Sequence, residues 1–273
     1  MQLGRRPRSW ALKAKNLALG ANAASLRLLL TPRRMVDYAT QSLFLLSTVD
    51  GPRGIPTRSV FDVLPCESVE EVKIASLQGD KDYYFFTQGG PFLADLLSLC
   101  LICRITRATT IFEIGTCYGY TALHLALNSP PNARVYTLDI PIGAPLEPKL
   151  KTSVVDEGTV ASREPRAATG RYLCFEGMEA ASKITCLYAD SAAFDYSPFH
   201  RNVDLFFIDG AHSYDYVRSD TLNAFKCCHP GSVIAWHDYG RAEVYGVTRW
   251  LNELCERRKI YRIPGGSLAF SVF

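Results

Sequence analysis

The chain has 273 residues, of which 48% are hydrophobic and 21% charged, the composition of an ordinary folded protein with room for one α/β domain and an extension. Its net charge of +3 is too small to argue for a nucleic-acid partner. Nine cysteines, an odd number with no repeated spacing, fit the reduced thiols of a cytoplasmic protein.

Residues 1–75 lack strand–helix alternation and read as a basic, mainly helical extension. Before the first acidic residue, Asp37, come Arg5, Arg6, Arg8, Lys13, Lys15, Arg27, Arg33 and Arg34, interleaved with Trp10, Leu12, Leu17 and Leu19. That pattern is either a solvated tail or a helix resting on an anionic membrane surface. Lys13, Lys15 and Arg27 interrupt every apolar core that a secretory signal would need. Apolar residues keep helical spacing from Leu26 to Leu46, with a break at Thr31-Pro32, and Gly51 to Pro56 is a loop by composition. Phe92 to Ile105 is too short to span a bilayer and reads as a buried helix. Cys100 and Cys103 lie inside it with no second pair nearby, so core packing is expected of them rather than metal or redox chemistry; the same holds for Cys227 and Cys228.

From about residue 90 the pattern alternates between strand and helix, which predicts a parallel sheet covered on both faces in a domain spanning residues 76–273. The expected strands are Thr110 to Ile114, Arg134 to Leu138, Ile184 to Tyr188, Val203 to Ile208 and Ser232 to Trp236, all short and apolar. Helices are expected at Tyr120 to Leu127, Ser213 to Cys228 and Val247 to Arg258, the last ending in a basic run that suits the helix dipole. Two final strands around Pro264-Gly265-Gly266 make an antiparallel hairpin. Residues 141–183 form a connection of about forty residues, far longer than a crossover needs, and are expected to be a lid over a ligand.

Acidic residues recur at the expected strand ends: Glu113, Asp139, Asp190, Asp209 and Asp238. A pocket lined with carboxylates suits a ligand that carries a sugar diol and an ammonium or sulfonium group. The turn Gly115-Thr116-Cys117-Tyr118-Gly119 presents backbone amides at a helix N-terminus, ready for an anionic group. It lacks the G-x-G-x-x-G spacing that lets a pyrophosphate approach, so a dinucleotide is disfavoured. Asp139 ends the second strand, where a carboxylate accepts ribose hydroxyls.

Val203-Asp-Leu-Phe-Phe-Ile-Asp-Gly-Ala-His-Ser-Tyr214 and Trp236-His-Asp-Tyr239, with Ile114-Gly-Thr116 and Thr137-Leu-Asp-Ile-Pro141, carry a family likeness. Over residues 90–273 the chain resembles the class I S-adenosylmethionine-dependent methyltransferases, in particular the family that includes macrolide-sugar O-methyltransferases and is related to the catechol-type enzymes. The resemblance implies a doubly wound, mostly parallel, Rossmann-like sheet ending in an antiparallel hairpin, and S-adenosyl-L-methionine as cofactor. Glu113, Gly115, Thr116, Gly119, Asp139, Asp190, Ser191 and Asp209 are then the expected cofactor-binding residues, with Glu113 near the ammonium and Asp190-Ser191 near the adenine.

In catechol-type relatives two carboxylates and a following Asn hold magnesium. Here the carboxylates are Asp209 and Asp238, but Tyr239 stands in place of the Asn, so the third ligand is missing. His212 follows Asp209 by three residues and is the expected general base, flanked by Asp209 and Asp238 as catalytic carboxylates. Strand alternation turns His237 away from Asp238 and ranks it below His212. The expected activity is in-line methylation of a hydroxyl on a small molecule or sugar, by a protein that is free to form a homo-oligomer. The second reading is a non-catalytic, methyltransferase-like binding protein anchored through its basic N-terminus.

Overall fold

The computed structural model describes residues 54–64, 66–69, 71–75, 90–141, 147–153, 156 and 173–273. The basic cluster before Asp37 and the helical spacing from Leu26 to Leu46 lie outside these residues, as does much of the stretch expected to be a lid.

The strands are β1 (Thr110–Ile114), β2 (Arg134–Asp139), β3 (Ile184–Tyr188), β4 (Val203–Ile208), β5 (Cys228–Trp236), β6 (Tyr261–Arg262) and β7 (Ala269–Val272). They form one sheet in the order β3-β2-β1-β4-β5-β7-β6. The first five are parallel, and β7 runs antiparallel between β5 and β6, as the terminal hairpin predicts. The helices are α1 (Val60–Val63), α2 (Gly90–Thr106), α3 (Tyr120–Asn128), α4 (Tyr214–Cys227) and α5 (Tyr245–Cys255). Among the described residues no helix is long and apolar enough to cross a membrane.

Strand alternation divides the core between two faces. Ile111, Val135, Leu205 and Phe207 pack with Leu99, Ile102, Leu123 and Leu125 of α2 and α3. Phe112, Phe206, Ile234 and Trp236 pack with Val217 of α4 and Leu251 of α5. Behind β1, Phe112 stacks on Phe206 at 4.9 Å between centroids and meets Phe199 edge-on at 4.9 Å. Such pairs contribute about 0.5–1.5 kcal/mol each beyond simple burial, which stiffens the strand beneath the site.

Two expected boundaries move. β5 begins at Cys228 rather than Ser232, because Cys228 already pairs with Val203 across a register shift. α5 ends at Cys255, so Arg257 and Arg258 lie beyond it. Arg258 instead lies over the rings of Phe225 and Phe273, at 4.2 and 4.7 Å, and serves packing rather than the helix dipole. The cysteines behave as core: Cys100 and Cys103 are fully buried, and burial pushes the Cys103, Cys227 and Cys228 thiols up to about 12. In the N-terminal part, Ile55 and Val60 are buried in the same core, and Thr57 bridges to Arg262.

The parallel ladder continues past the strand ends. Gly115 N–H donates to the Leu138 carbonyl at 2.8 Å, Asp209 N–H to Ile114 at 2.9 Å, and His237 N–H to Ile208 at 3.1 Å. The residues just beyond β4 and β5 are thereby fixed as firmly as the strands. Gly115 makes this possible: it has φ +103°, and a Cβ there would overlap the Asp209 carbonyl. Gly115→Ala combines left-handed strain with an overlap against backbone, and is expected to cost about 2–4 kcal/mol. Urea unfolding of the variant and the parent measures it; equal midpoints would contradict this packing.

Candidate active site

The expected site residues do converge on the carboxyl edge of the sheet, where open α/β folds bind ligands. Glu113 is wholly buried in β1. Its Oε2 accepts from the Thr137 hydroxyl at 2.5 Å, and Thr137 pairs with Thr116 at 2.6 Å. Among the described residues its Oε1 has no hydrogen-bond partner. Burial, only partly offset by the Thr137 hydroxyl and reinforced by Asp209 and Asp139, holds the Glu113 carboxyl well above its ordinary range. Asp139 accepts from the amides of Cys117 and Ile140, each at 2.8 Å. Gly119, at φ +77°, opens α3 with no side-chain cap.

Asp190 and Ser191, expected to face an adenine, are buried. Asp190 accepts from the Ala192 and Lys149 amides at 2.8 Å each and from the Tyr216 hydroxyl at 2.7 Å. Lys149 belongs to the long 141–183 connection, so this part of that stretch is tied to the turn that follows β3. Behind this turn lies Asp220, which the sequence reading missed. Burial, partly relieved by the Ser191 hydroxyl and reinforced by Asp190, pushes its carboxyl up to about 7.

Around the ends of β4 and β5 four carboxylates meet three cationic side chains. His212 Nε2 lies 3.0 Å from Asp238 and 3.8 Å from Asp209, while its Nδ1 is 2.7 Å from Asp156. Asp156 also accepts from the His212 amide at 3.0 Å and the Ser153 hydroxyl at 2.6 Å. Arg241 reaches Asp238 at 3.1 Å. The loop that carries His212 is held down by Gly246 at the start of α5, where any Cβ would overlap the backbone at His212 and Tyr214.

His237 corrects an expectation. Rather than turning away, its Nδ1 lies 3.1 Å from Asp238 and 3.3 Å from Asp209, with its Nε2 3.1 Å from Asp95 on α2. Alternation fails because β5 ends at Trp236 and Asp238 is left-handed, at φ +64°, which swings both side chains to one side. Asp95 and Asp156 were also missed. For Asp95 a signal existed: a lone carboxylate inside an apolar helix is costly unless paired. Asp156 carries no such mark, since it lies in a long connection rich in charge, Pro and Gly rather than inside an apolar helix.

Residues 112–239 match a family model described as a methyltransferase domain. That segment is just under half of the chain, and over it the chain is similar to a methyltransferase domain. No curated protein sequence matches it. Among solved structures, it is similar to the O-methyltransferase TomG from Streptomyces achromogenes, involved in tomaymycin synthesis and solved with SAM: 20% identity over 72% of this chain and 91% of that one, TM-score 0.43. An O-methyltransferase from Bacillus cereus, solved with SAH, is 18% identical over 86% of this chain and 100% of that one, TM-score 0.42. The SAH-bound methyltransferase PaMTH1 from Podospora anserina is 14% identical over 73% of this chain and 90% of that one, TM-score 0.46. With all three scores below one half, the functional reading stands on the matched segment and the geometry of the chain's own residues.

The electrostatics of the His–Asp cluster have a definite sign. Burial opposes the charged imidazoles, but it is outweighed at His212 by Asp156, Asp209 and Asp238, and at His237 by Asp209 and Asp238, so both rise well above the ordinary value. Burial likewise raises Asp238 and Asp209, but the two histidines more than reverse it; Asp238 falls well below its usual range and Asp209 falls too. Raised imidazoles contribute stability that is complete below the unfolded value of about 6.5 and fades as pH rises through their folded values. Depressed carboxylates contribute stability that is complete above about 3.9 and fades as pH falls through theirs. The cluster is therefore most stabilising between about pH 4 and 6.5. The destabilisation caused by His212→Gln, read from urea midpoints, is expected to be larger at pH 5.5 than at pH 9; the reverse order would show that the imidazole is held neutral.

Proposed function

We propose that this methyltransferase moves the methyl group of S-adenosylmethionine to a hydroxyl oxygen of a small molecule or sugar. The observation that carries this is the juxtaposition of two groups along one sheet edge. Glu113 and Asp139 at β1 and β2 suit the cofactor, and the His212–Asp238 pair lies beside them at β4 and β5.

The residues present fit the cofactor. Glu113 Oε1 is a buried acceptor without a partner, suited to the ammonium directly or through water. Asp139, at the end of β2, is suited to the ribose hydroxyls, and the uncapped start of α3 suits the carboxylate. Asp190 and Ser191 end β3, on the adenine side. When bound, the sulfonium supplies an already electrophilic methyl, leaving the protein to align the acceptor and take its proton.

His212 is the proposed base. Asp156 fixes its Nδ1 at 2.7 Å, so Nε2 is the atom left to face an acceptor hydroxyl. In the resting cluster Nε2 is engaged by Asp238 and the ring is protonated. His212 must therefore release that proton before it accepts one from the hydroxyl, and methyl transfer should accelerate as pH rises above neutrality.

Magnesium is a poor fit to the residues present. Asp209, His212 and Asp238 each offer one atom, all within 4.8 Å of one another. One of the three is an imidazole nitrogen, whereas magnesium takes oxygen ligands in octahedral geometry. The Tyr239 hydroxyl is committed to Asn252 at 2.7 Å and to the Ile55 amide at 3.2 Å. No step is assigned to a metal.

Calorimetric titration of the full chain with S-adenosylhomocysteine tests the cofactor. Micromolar binding is expected, weakened about tenfold or more by Asp139→Ala, a loss near 1.4 kcal/mol. Absence of binding would move the protein to the non-catalytic reading. Repeating the titration in buffers of different ionisation enthalpy should show proton release, as Glu113 ionises against the incoming ammonium, and Glu113→Gln should abolish it. His212→Asn is expected to lower turnover about a hundredfold with cofactor affinity unchanged and the alkaline rise lost; normal turnover would remove the base assignment.

A further inference from the structure

The carboxylates of Asp209 and Asp238 end adjacent parallel strands. A buried charge left without its counter-charge is strongly destabilising, so two such groups side by side need positive charge between them. That position is filled by the chain itself. His237 Nδ1 lies 3.3 Å from Asp209 Oδ1 and 3.1 Å from Asp238 Oδ1, and only 9% of its side chain is exposed.

The remaining contacts hold the ring in that bridge. Its Nε2 lies 3.1 Å from Asp95 Oδ2. Asp95 is itself locked by the Ser267 amide at 2.8 Å, the Ser267 hydroxyl at 2.8 Å and the Leu268 amide at 2.9 Å. Gly266 permits this approach, since a Cβ there would overlap Asp95 Oδ1. Phe207 closes the ring's flank edge-on at 6.3 Å. The charged groups facing this position are Asp95 from α2, Asp209 after β4 and Asp238 after β5, with His212 and Arg241 reaching Asp238 from outside.

We infer that His237 is a built-in cation bridging Asp209 and Asp238, with Asp95 as its positioning residue, and that it occupies the place a divalent metal would need between these carboxylates. A metal entering there would have to displace an imidazolium anchored at both nitrogens, and it would gain no ligand from Tyr239. The inference extends the proposed function, since the bridged carboxylates border the acceptor side of that site, but its geometry is independent of methyl transfer.

The test uses the full-length protein and readouts other than activity. Titration with manganese chloride, followed by electron paramagnetic resonance, should show no saturable binding to the parent at concentrations up to about 1 mM, the range of weak oxygen-ligand sites. His237→Glu, which replaces the cation by a third carboxylate, should bind manganese at least tenfold more tightly. Nitrogen-15 spectra of the histidine rings should show His237 as an imidazolium at pH 7.5, and Asp95→Asn should lower its titration midpoint by about one unit. Saturable manganese binding by the parent, with loss of the imidazolium signal, would overturn the inference; so would a neutral His237 ring at pH 7.5. Because no transfer reaction is measured, a failed cofactor titration would count against the proposed function and leave this result standing.

Discussion

Two carboxylates at the ends of neighbouring parallel strands cannot be withdrawn from water without positive charge close by, and much of this site follows from that demand. Asp209 and, through its neighbour His237, Asp238 are positioned by a backbone ladder that runs one residue past β4 and β5. The histidines meet them there, and each imidazole is in turn held by a more distant carboxylate, Asp95 for His237 and Asp156 for His212. The result is two carboxylate–imidazole–carboxylate chains that share Asp238. The left-handed backbone at Asp238 allows the sharing, because it turns consecutive side chains toward one centre. Strain of this kind costs about 1–3 kcal/mol, less than the cost of an unpaired buried charge.

The sheet divides the chemistry spatially. On the β1–β2–β3 side stand the buried Glu113, whose carboxyl is held well above its ordinary range, the Asp139 carboxylate on the Cys117 and Ile140 amides, and a helix start with no side-chain cap. Those are binding features. On the β4–β5 side Asp95, Asp156, Asp209 and Asp238 each meet a cationic side chain, and the nitrogen best placed to move a proton belongs to His212. The aromatic wall behind β1 and β4, centred on Phe112, gives both halves a common rigid backing.

Much of this layout was legible in the sequence. Short apolar runs marked the five parallel strands because those strands are buried on both faces, and Pro264-Gly265-Gly266 marked the hairpin because few other residues turn a chain so tightly. The acidic strand ends gave the edge of the site. What the sequence hid was pairing across distance: Asp95 lies 142 residues from His237, and Asp156 lies 56 from His212. The placement of His237 was misread for a local reason. Alternation is a property of extended backbone, and the chain leaves that state just after Trp236. The start of β5 and the end of α5 moved because pairing with Val203 and packing of Arg258 on Phe225 outweigh local signals.

The antiparallel last strand has a practical side. It pairs Ala269 with Trp236 near the ligand edge and Val272 with Val233 at the other end, so the chain is travelling away from the site when it reaches Phe273, whose backbone is tied to Gly231 and Ser232. A tether joined to Phe273 would emerge on the side of the sheet where the strands begin, beside His229 and Asp204, with the whole sheet between it and the cleft. Immobilising the protein by that end presents the ligand edge outward, which suits capture formats on a solid support.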